Sequence, residues 1–553
     1  MNRNAESHFA ELPHANIERS RFDRSHSVKF TGNVGQVIPF LCDPVLPGDT
    51  WEIDTSKVVR LQTLLSPVMD NAFLDTYYFF VPNRLVWDHW KEFCGENTAS
   101  AWYPSVQYSI PKITIPTSGV DVGSVLDYLG IPPYNGTINS VKVNALRVRG
   151  YSLIMDQWFR DQNLQNPLNL YTGDSDVNYS AASCETGGVP FIACKTHDYF
   201  TSCLPGPQKS AQPVNIPASG LIPVVTNPTT SLWSFNDIKY PMIMQYNSTG
   251  SSAIRMVTPV EVQDTSSNTA NVVASSSTIN SSVGFRPMNL VAASDPSSWN
   301  SLHVSVNDLR LAFQTQKFLE KQARGGSRYR EILLSHFGVH SPDARQQVPE
   351  YLGGNRIPLN VSQVVNSAES SGNRLGNVGA YSLTTDVNND VFKSFTEHGY
   401  IYGLMVVRYD HSYSQGAEYD WFVDNLYDLY WPVFACISEQ PVRTRELYWP
   451  AAGAGTNPVF GYQEAWASYR YKNNRVAGEM RPLVSNGLYS WSFADAYTSQ
   501  PTLSSSWVEE DKANVDRTLA VSSSVSNQFW SDFYVKPYQQ HMLMKHNLDL
   551  QHN

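Results

Sequence analysis

Charge is what this chain is shortest of. Only 16% of its 553 residues are Asp, Glu, Lys or Arg, where about 25% is usual for soluble domains. The 40 basic residues are outnumbered by 50 acidic ones, giving a formal net charge of -10, which excludes a protein that is basic throughout. A free monomer keeps a charged surface for solubility, so so little charge points to an outside covered by partners. Cysteine is also scarce: Cys42, Cys94, Cys184, Cys194, Cys203 and Cys436 are too scattered for a disulfide framework and suggest free thiols in a reducing compartment. Cys184, Cys194, His197 and Cys203 lack the close C-x-x-C pairs that hold structural zinc, so no metal or cofactor is expected. Long apolar runs are missing as well. The densest, YIYGLMVV at 400–407, falls far short of the ~20 residues of a membrane span. The opening MNRNAESHFAELPHANIERS has no apolar core of a secretion signal, which argues against export. No G-x-S-x-G elbow, P-loop, H-E-x-x-H or G-x-G-x-x-G is present, and no repeat of fixed period, so none of the common catalytic signatures is available.

What the chain does have is aromatic residues, 12% of the total, and β-sheet punctuation from 33 Pro and 32 Gly. Turn residues cut it into short runs rich in Val, Ile, Tyr and Phe, which read as strands. These are 26–32, 36–45, 56–65, 73–82, 398–410, 428–437 and 528–537. Pro39 and Pro432 inside two of them predict edge positions or bulges, since proline cannot donate to the ladder. Helices are few. Asn83 can cap a segment carrying Val86, Trp87, Trp90 and Phe93, stopped by Gly95; Tyr151, Ile154, Met155, Trp158 and Phe159 keep the spacing of one helical face. A third begins near Asn307, breaks at Gly325-Gly326 and resumes through Tyr329, Ile332, Leu333 and Phe337. The class is therefore mainly β with helical insertions. From 205 to 285 Ser, Thr, Asn and Pro dominate, yet Val, Ile, Trp233 and Tyr240 persist, which predicts an ordered projecting insertion rather than a tether.

The search for catalytic chemistry yields little. Asp420 with Asp424 and Glu509 with Glu510 read as solvated loops, because neighbouring carboxylates occur in any chain of this length. His411 reads as a surface or interface histidine. Basic residues say more. Arg3, Arg19, Arg21, Arg24 and Lys29, with Phe9 and Phe22 among them, suggest an N-terminal arm that neutralises phosphates and stacks bases, although Glu6, Glu11, Glu18 and Asp23 dilute its charge. A second cluster, Lys317, Lys321, Arg324, Arg328 and Arg330, is either a phosphate clamp or a solvated helix face with interface salt bridges.

Several strings together resemble one family. They are SRFDRSHSVKFTGNVGQVIPF, VLPGDTWEIDTSKVVRLQTLLSPVMDNAFLDTYYFFVPNRLVWDHWKEFCGE, FQTQKFLEKQARGGSRYREILLSHFGV and HGYIYGLMVVRYD. The family is the major capsid protein of the small icosahedral single-stranded-DNA bacteriophages, Microviridae, in its gokushovirus branch. The resemblance implies an eight-stranded antiparallel jelly roll with long inter-strand insertions. Its expected layout is an arm at 1–25, the first part of the jelly roll with helical loops at 26–204, a surface protrusion at 205–285, and the remainder at 286–553. It further implies a structural protein, not an enzyme, that forms a T=1 shell with contacts about fivefold, threefold and twofold axes around a circular single-stranded DNA genome. The partners implied are a small basic DNA-packaging protein, a transient internal scaffolding protein, a pilot protein and a host surface receptor. The expected location is the virion, assembled in the bacterial host cytoplasm. Arg3, Arg19, Arg21, Arg24 and Lys29 would then face DNA or the packaging protein, and the insertion with Trp233 and Tyr240 would face the receptor, unless those two aromatics anchor an interface between subunits. The competing class is a secreted jelly-roll carbohydrate-binding protein or glycoside hydrolase, which the missing signal sequence and acid pair disfavour.

Overall fold

The computed structural model describes residues 19–98, 106–134, 136–210, 305–367, 375–453, 458–485 and 487–541, with short stretches between 212 and 292. The chain divides into two compact units, Met1–Lys209 with Glu320–Asn553, and Ser210–Leu319.

The two main sheets of the first unit are built from nine strands: β1 Ser20–Asp23, β2 His26–Gly32, β3 Ile38–Val45, β4 Thr50–Leu61, β5 Ala72–Pro82, β6 Glu350–Pro358, β7 Thr384–Ser394, β8 Gly399–Tyr409 and β9 Phe529–His541. They form two antiparallel sheets. One has the order β1-β9-β4-β7 with β2 also on β9, and the other β6-β5-β8-β3. Alternation explains the first sheet: β4 turns Trp51, Ile53, Thr55, Lys57, Val59 and Leu61 inward, and β9 turns Phe529, Phe533 and Val535 inward, with polar or aromatic residues on the other face. The second sheet is covered on both faces, which is why β5 and β8 read as near-continuous apolar runs. Leu74, Tyr78, Phe80, Ile401, Met405 and Val407 join the core that also contains Trp51, Ile53 and Phe533. On the opposite face Phe79, Val81, Tyr402, Leu404 and Val406 pack with Trp87, Tyr151, Ile154 and Met155.

Helix α1, Leu146–Ile154, continues into a wider π turn, Met155–Phe159. Its Gly150 permits a close approach: a Cβ there would lie 2.2 Å from the Tyr402 hydroxyl, which donates to the Arg147 carbonyl at 2.7 Å. Segments after β8 build a third apolar cluster with Tyr199 and Phe200, in which Tyr413, Leu447, Phe460 and Trp507 meet them. Helices α2, Val306–Arg324, and α3, Tyr329–Phe337, follow the expected break at the glycine pair, and α3 ends on Gly338 at φ 68°. Among the described residues no helix is long and apolar enough to cross a membrane.

Several expectations need correction. Ser20–Asp23, placed in a free arm, is a strand paired with Tyr538–His541, because β9 extends four residues past the expected 537 and offers an open edge there. Residues 428–437 are not a strand. They hold short 3-10 turns at Leu426–Asp428 and Pro432–Phe434, since Pro432 starts a turn and Asp428 accepts from the Asn425 backbone at 2.9 Å. Asn83 is the first residue of its helical turn rather than the cap, a place taken by Pro82. Pro39 does sit on an edge strand beside a register shift. Strands β6 and β7, EYLGGNRIP and TTDVNNDVFKS, went unread because glycine and polar residues hide their alternation.

The second unit carries antiparallel pairings of its own. Val224–Thr226 pairs with Leu290–Ala292, Leu232–Phe235 with Ile238–Pro241, and Val260–Thr265 with Thr269–Ala274. Ile243–Asn247 lies between Arg255–Met256 and Val283–Pro287.

Candidate nucleic-acid and partner interface

The first sheet gathers the described arm residues at its β1–β2 edge, and its face away from the core carries Arg21 and Lys29. β1 and β2 lie end to end along β9, so their outward side chains line up beside those of β9 and β4. Arg21 pairs with Glu52 at 3.1 Å, and its guanidinium lies 4.6 Å from the ring centre of Tyr538. Arg24 reaches Asp43 at 3.1 Å and the Gln539 side-chain oxygen at 3.1 Å. Lys29 pairs with Asp532 at 3.4 Å. Arg19 is exposed just before β1, and Arg3 lies outside the described residues. The structure thus brings Arg21, Arg24 and Lys29 to one sheet, but each already has a carboxylate, supplied by distant segments. Cations held this way give a phosphate less than free ones, because binding must first break or share the pair.

Sequence reasoning missed the aromatic part of this face. Trp530 and Tyr534 are 45% and 42% exposed and share the outward row of β9 with Tyr538. Lys536 sits 5.4 Å from the Tyr534 ring centre. Trp530 is the register partner of Arg60 on β4 and of Thr31 on β2. Beside it opens a cleft of about 630 Å³ lined by Lys29, Phe30, Arg60, Val122, Tyr128 and Trp530 among others. Exposed rings next to Arg and Lys suit base stacking with phosphate contact. The signal was present as the alternation of FWSDFYVKPY, which reads as a strand but also places Trp530, Tyr534 and Tyr538 on one side.

The second basic cluster divides. Arg324 pairs with Glu439 and donates to the Gln463 side chain at 3.1 Å. Arg328 donates to the carbonyls of Asp156 and Arg160, both at 3.0 Å. Arg330 donates to the Gln157 carbonyl at 3.1 Å and lies 4.1 Å from the Trp158 ring centre. Arg328 and Arg330 thus satisfy carbonyls left over by the π turn after α1, while Arg324 is held by side chains. Lys321 remains exposed on α2, and Lys317 lies one turn earlier on the same helix. Trp233 and Tyr240 are cross-strand partners in a hairpin of the second unit.

The carboxylates divide as well. Asp420 and Asp424 are exposed. His411 and Glu510 are buried, correcting the surface and solvated-loop readings. Nδ1 of His411 is 2.9 Å from Asp495 and Nε2 is 3.0 Å from Glu510, while Lys195 stands 3.5 Å from Asp495. Burial alone pulls His411 down, but the two carboxylates outweigh it and hold it at about 9. With both ring nitrogens of His411 engaged, the group braces the loops after β8. All six cysteines are free thiols, and burial pushes Cys42, Cys184 and Cys194 up to about 12. Among the described residues no three His, Cys, Asp or Glu converge as a metal site.

Comparison with known proteins gives a family. The model of the family described as capsid protein (F protein) matches residues 10–545. Capsid protein VP1 of Spiroplasma virus 4 is 41% identical over 542 residues, covering 94% of this chain and 93% of the relative. Capsid protein VP1 of Chlamydia phage 1 is 36% identical, with 95% and 94% covered. Capsid protein VP1 of Bdellovibrio phage phiMH2K is 35% identical, with 96% of each chain covered.

Proposed function

The chain belongs to the capsid protein (F protein) family, and from that premise we propose that it forms a T=1 icosahedral shell around a circular single-stranded DNA genome. It is a major capsid protein of the gokushovirus kind and a part of the virion. A structural rather than catalytic role fits relatives that are capsid proteins.

The observation that carries self-assembly is the apolar surface after β8. Trp421, Tyr427 and Val433 are 78%, 74% and 87% exposed, in a chain with little charge to keep such a patch in water. Patches of this kind mark protein interfaces, and neighbouring copies about the symmetry axes are the partners that would cover it. Replacing all three by Ser is expected to leave a soluble, folded subunit that forms no shells in negative-stain images. Normal shells from that variant would refute the assignment.

Counting β1 and β2 as one interrupted strand, we infer that the core is an eight-stranded jelly roll. The two sheets then hold four strands each, in the chain orders 1-8-3-6 and 5-4-7-2, which is the order of two Greek keys wrapped together. We assign the aromatic face around Trp530 and Arg60, with the arm at 1–25, to the genome or a small basic packaging protein. The protrusion, expected at 205–285, falls almost wholly in the second unit and is the part assigned to the host receptor. An internal scaffolding protein, a pilot protein and assembly in the host cytoplasm complete the reading. Exchange of the 205–285 segment for a short Gly/Ser bridge should leave shells that no longer adsorb to host cells; failure of the shells to form would make the insertion structural.

A further inference from the structure

β4 carries a lysine into the sandwich. In its inward row of Trp51, Ile53, Thr55, Lys57, Val59 and Leu61, Lys57 alone is charged, and its side chain is 1% exposed. An ammonium buried this way is costly unless it is closely paired. Two carboxylates of β7 approach it, but neither closely: Nζ is 3.7 Å from Asp386, its register partner, and 3.7 Å from Asp390. The hydrogen bond it makes is to the Thr76 hydroxyl at 3.1 Å.

Asp390 is 2% exposed and sits where the β7–β4 register shifts, between Asn389 and Val391. Such a bulge re-aims a side chain, and here the carboxyl turns inward. Gly353 of β6, at φ 154°, makes room for it, since a Cβ there would stand 2.8 Å from the Asp390 carbonyl oxygen. The Tyr78 hydroxyl donates to Asp390 Oδ2 at 3.0 Å. Asp386 is 20% exposed and accepts from Asn355 at 3.2 Å, so it links the pair to solvent. Burial pulls Lys57 down and pushes Asp390 up. Both shifts favour the uncharged forms, an amine beside a carboxylic acid.

We propose that Lys57 and Asp390 condense into an isopeptide bond, with Asp386 carrying the proton. The Nζ lone pair attacks Cγ of protonated Asp390, forming an N–C bond. The bond from Cγ to the acid hydroxyl breaks, and that hydroxyl leaves as water with the proton shed by nitrogen and relayed through Asp386. Nothing is oxidised or reduced, and no further reactant is needed. Tyr78 is placed to stabilise the oxyanion of the tetrahedral intermediate. Nζ stands 3.7 Å from Oδ1 of Asp390, and a side-chain rotation must bring it to the ~3–3.5 Å approach of reacting atoms at Cγ. The product ties β4 to β7 covalently.

Mass spectrometry of the full-length chain, taken from shells and denatured, tests this. The expected mass is lower than the sequence mass by one water. Tryptic digestion should then yield residues 30–60, uncut after Lys57, joined to residues 375–393. A parent chain at full sequence mass overturns the proposal, and so does a lighter chain that trypsin still cuts at Lys57. Lys57→Met and Asp386→Asn are expected to restore the full mass. Loss of water in Asp386→Asn would overturn the proton-carrying role of Asp386. The parent measurement decides the cross-link even if either variant fails to fold.

Discussion

Strand β8 and the segment that follows it are made of the same kinds of residue and fare in opposite ways. In β8, Ile401, Tyr402, Leu404, Met405, Val406, Val407 and Tyr409 are fully buried. In the segment that follows, Trp421, Leu426, Tyr427, Trp431 and Val433 are exposed. The difference is in what covers them. β8 is flanked by β5 and β3 and packed on both faces by its own chain, whereas 419–437 is a series of turns that pairs with no strand. Apolar composition therefore marks surface that must leave water, without stating whether the same chain or another will remove it.

The largest expected effect breaks the covered side. Leu404→Ala should cost about 2–5 kcal/mol of subunit stability, read as a lower denaturant midpoint at unchanged slope. Trp421→Ala should shift the same midpoint by under about 0.5 kcal/mol while lowering shell yield. Equal losses in the two variants would erase the distinction.

The junction between the regions should respond to pH. His411 stands between them, held at about 9 against about 6.5 when unfolded. A base raised on folding contributes stability in full below its unfolded value, and that contribution is lost as pH rises through its folded one. The free energy of unfolding should therefore fall between about pH 7 and pH 9.5, by an amount on the order of a few kcal/mol, read as a falling melting temperature, and His411→Gln should flatten that limb. Asp495, held well below the usual carboxylate range despite burial by Lys195 and His411, works in the other direction. It protects until strongly acid pH. A flat alkaline limb in the parent would remove His411 from this role.

The smallest effect concerns the cations in and beside β1. Arg19→Gln, Arg21→Gln and Arg24→Gln together should change subunit stability by about 1 kcal/mol or less, since the Arg21 and Arg24 pairs are open to solvent. DNA retention in shells should nevertheless fall as salt is raised. Equal retention at every salt concentration would take these residues out of the genome contact and leave the Trp530 face to be tested alone.

What was legible in the sequence follows the same division. Strands at 26–32, 73–82 and 398–410 and the helices broken at Gly325-Gly326 were readable, because a single chain's packing writes period 2 or 3.6 into its own residues. β7 was not, since its outward face carries Val387 and Phe392 while its inward face includes Asp386 and Asp390, which inverts the expected alternation. Residues 428–437 were misread because Tyr, Trp, Val and Phe have the same composition whether they sit in a strand or on a surface. The pairing of Arg21, Arg24 and Lys29 was invisible, because Glu52, Asp43 and Asp532 come together with them only in three dimensions. Trp530 was legible as part of a strand, but not as part of a face.

β9 lies between β2 and β4 in the middle of its sheet, yet the ribosome makes it after all eight of the other strands. Until Phe529–His541 emerges, both neighbours present open ladder edges, and Phe533 is missing from the core it shares with Phe30 and Phe40. Such long-range closure is slow and cannot proceed piecemeal during synthesis. A chain broken off before β9 has no finished sheet to offer a neighbour. Completion of this sheet therefore waits on translation through β9.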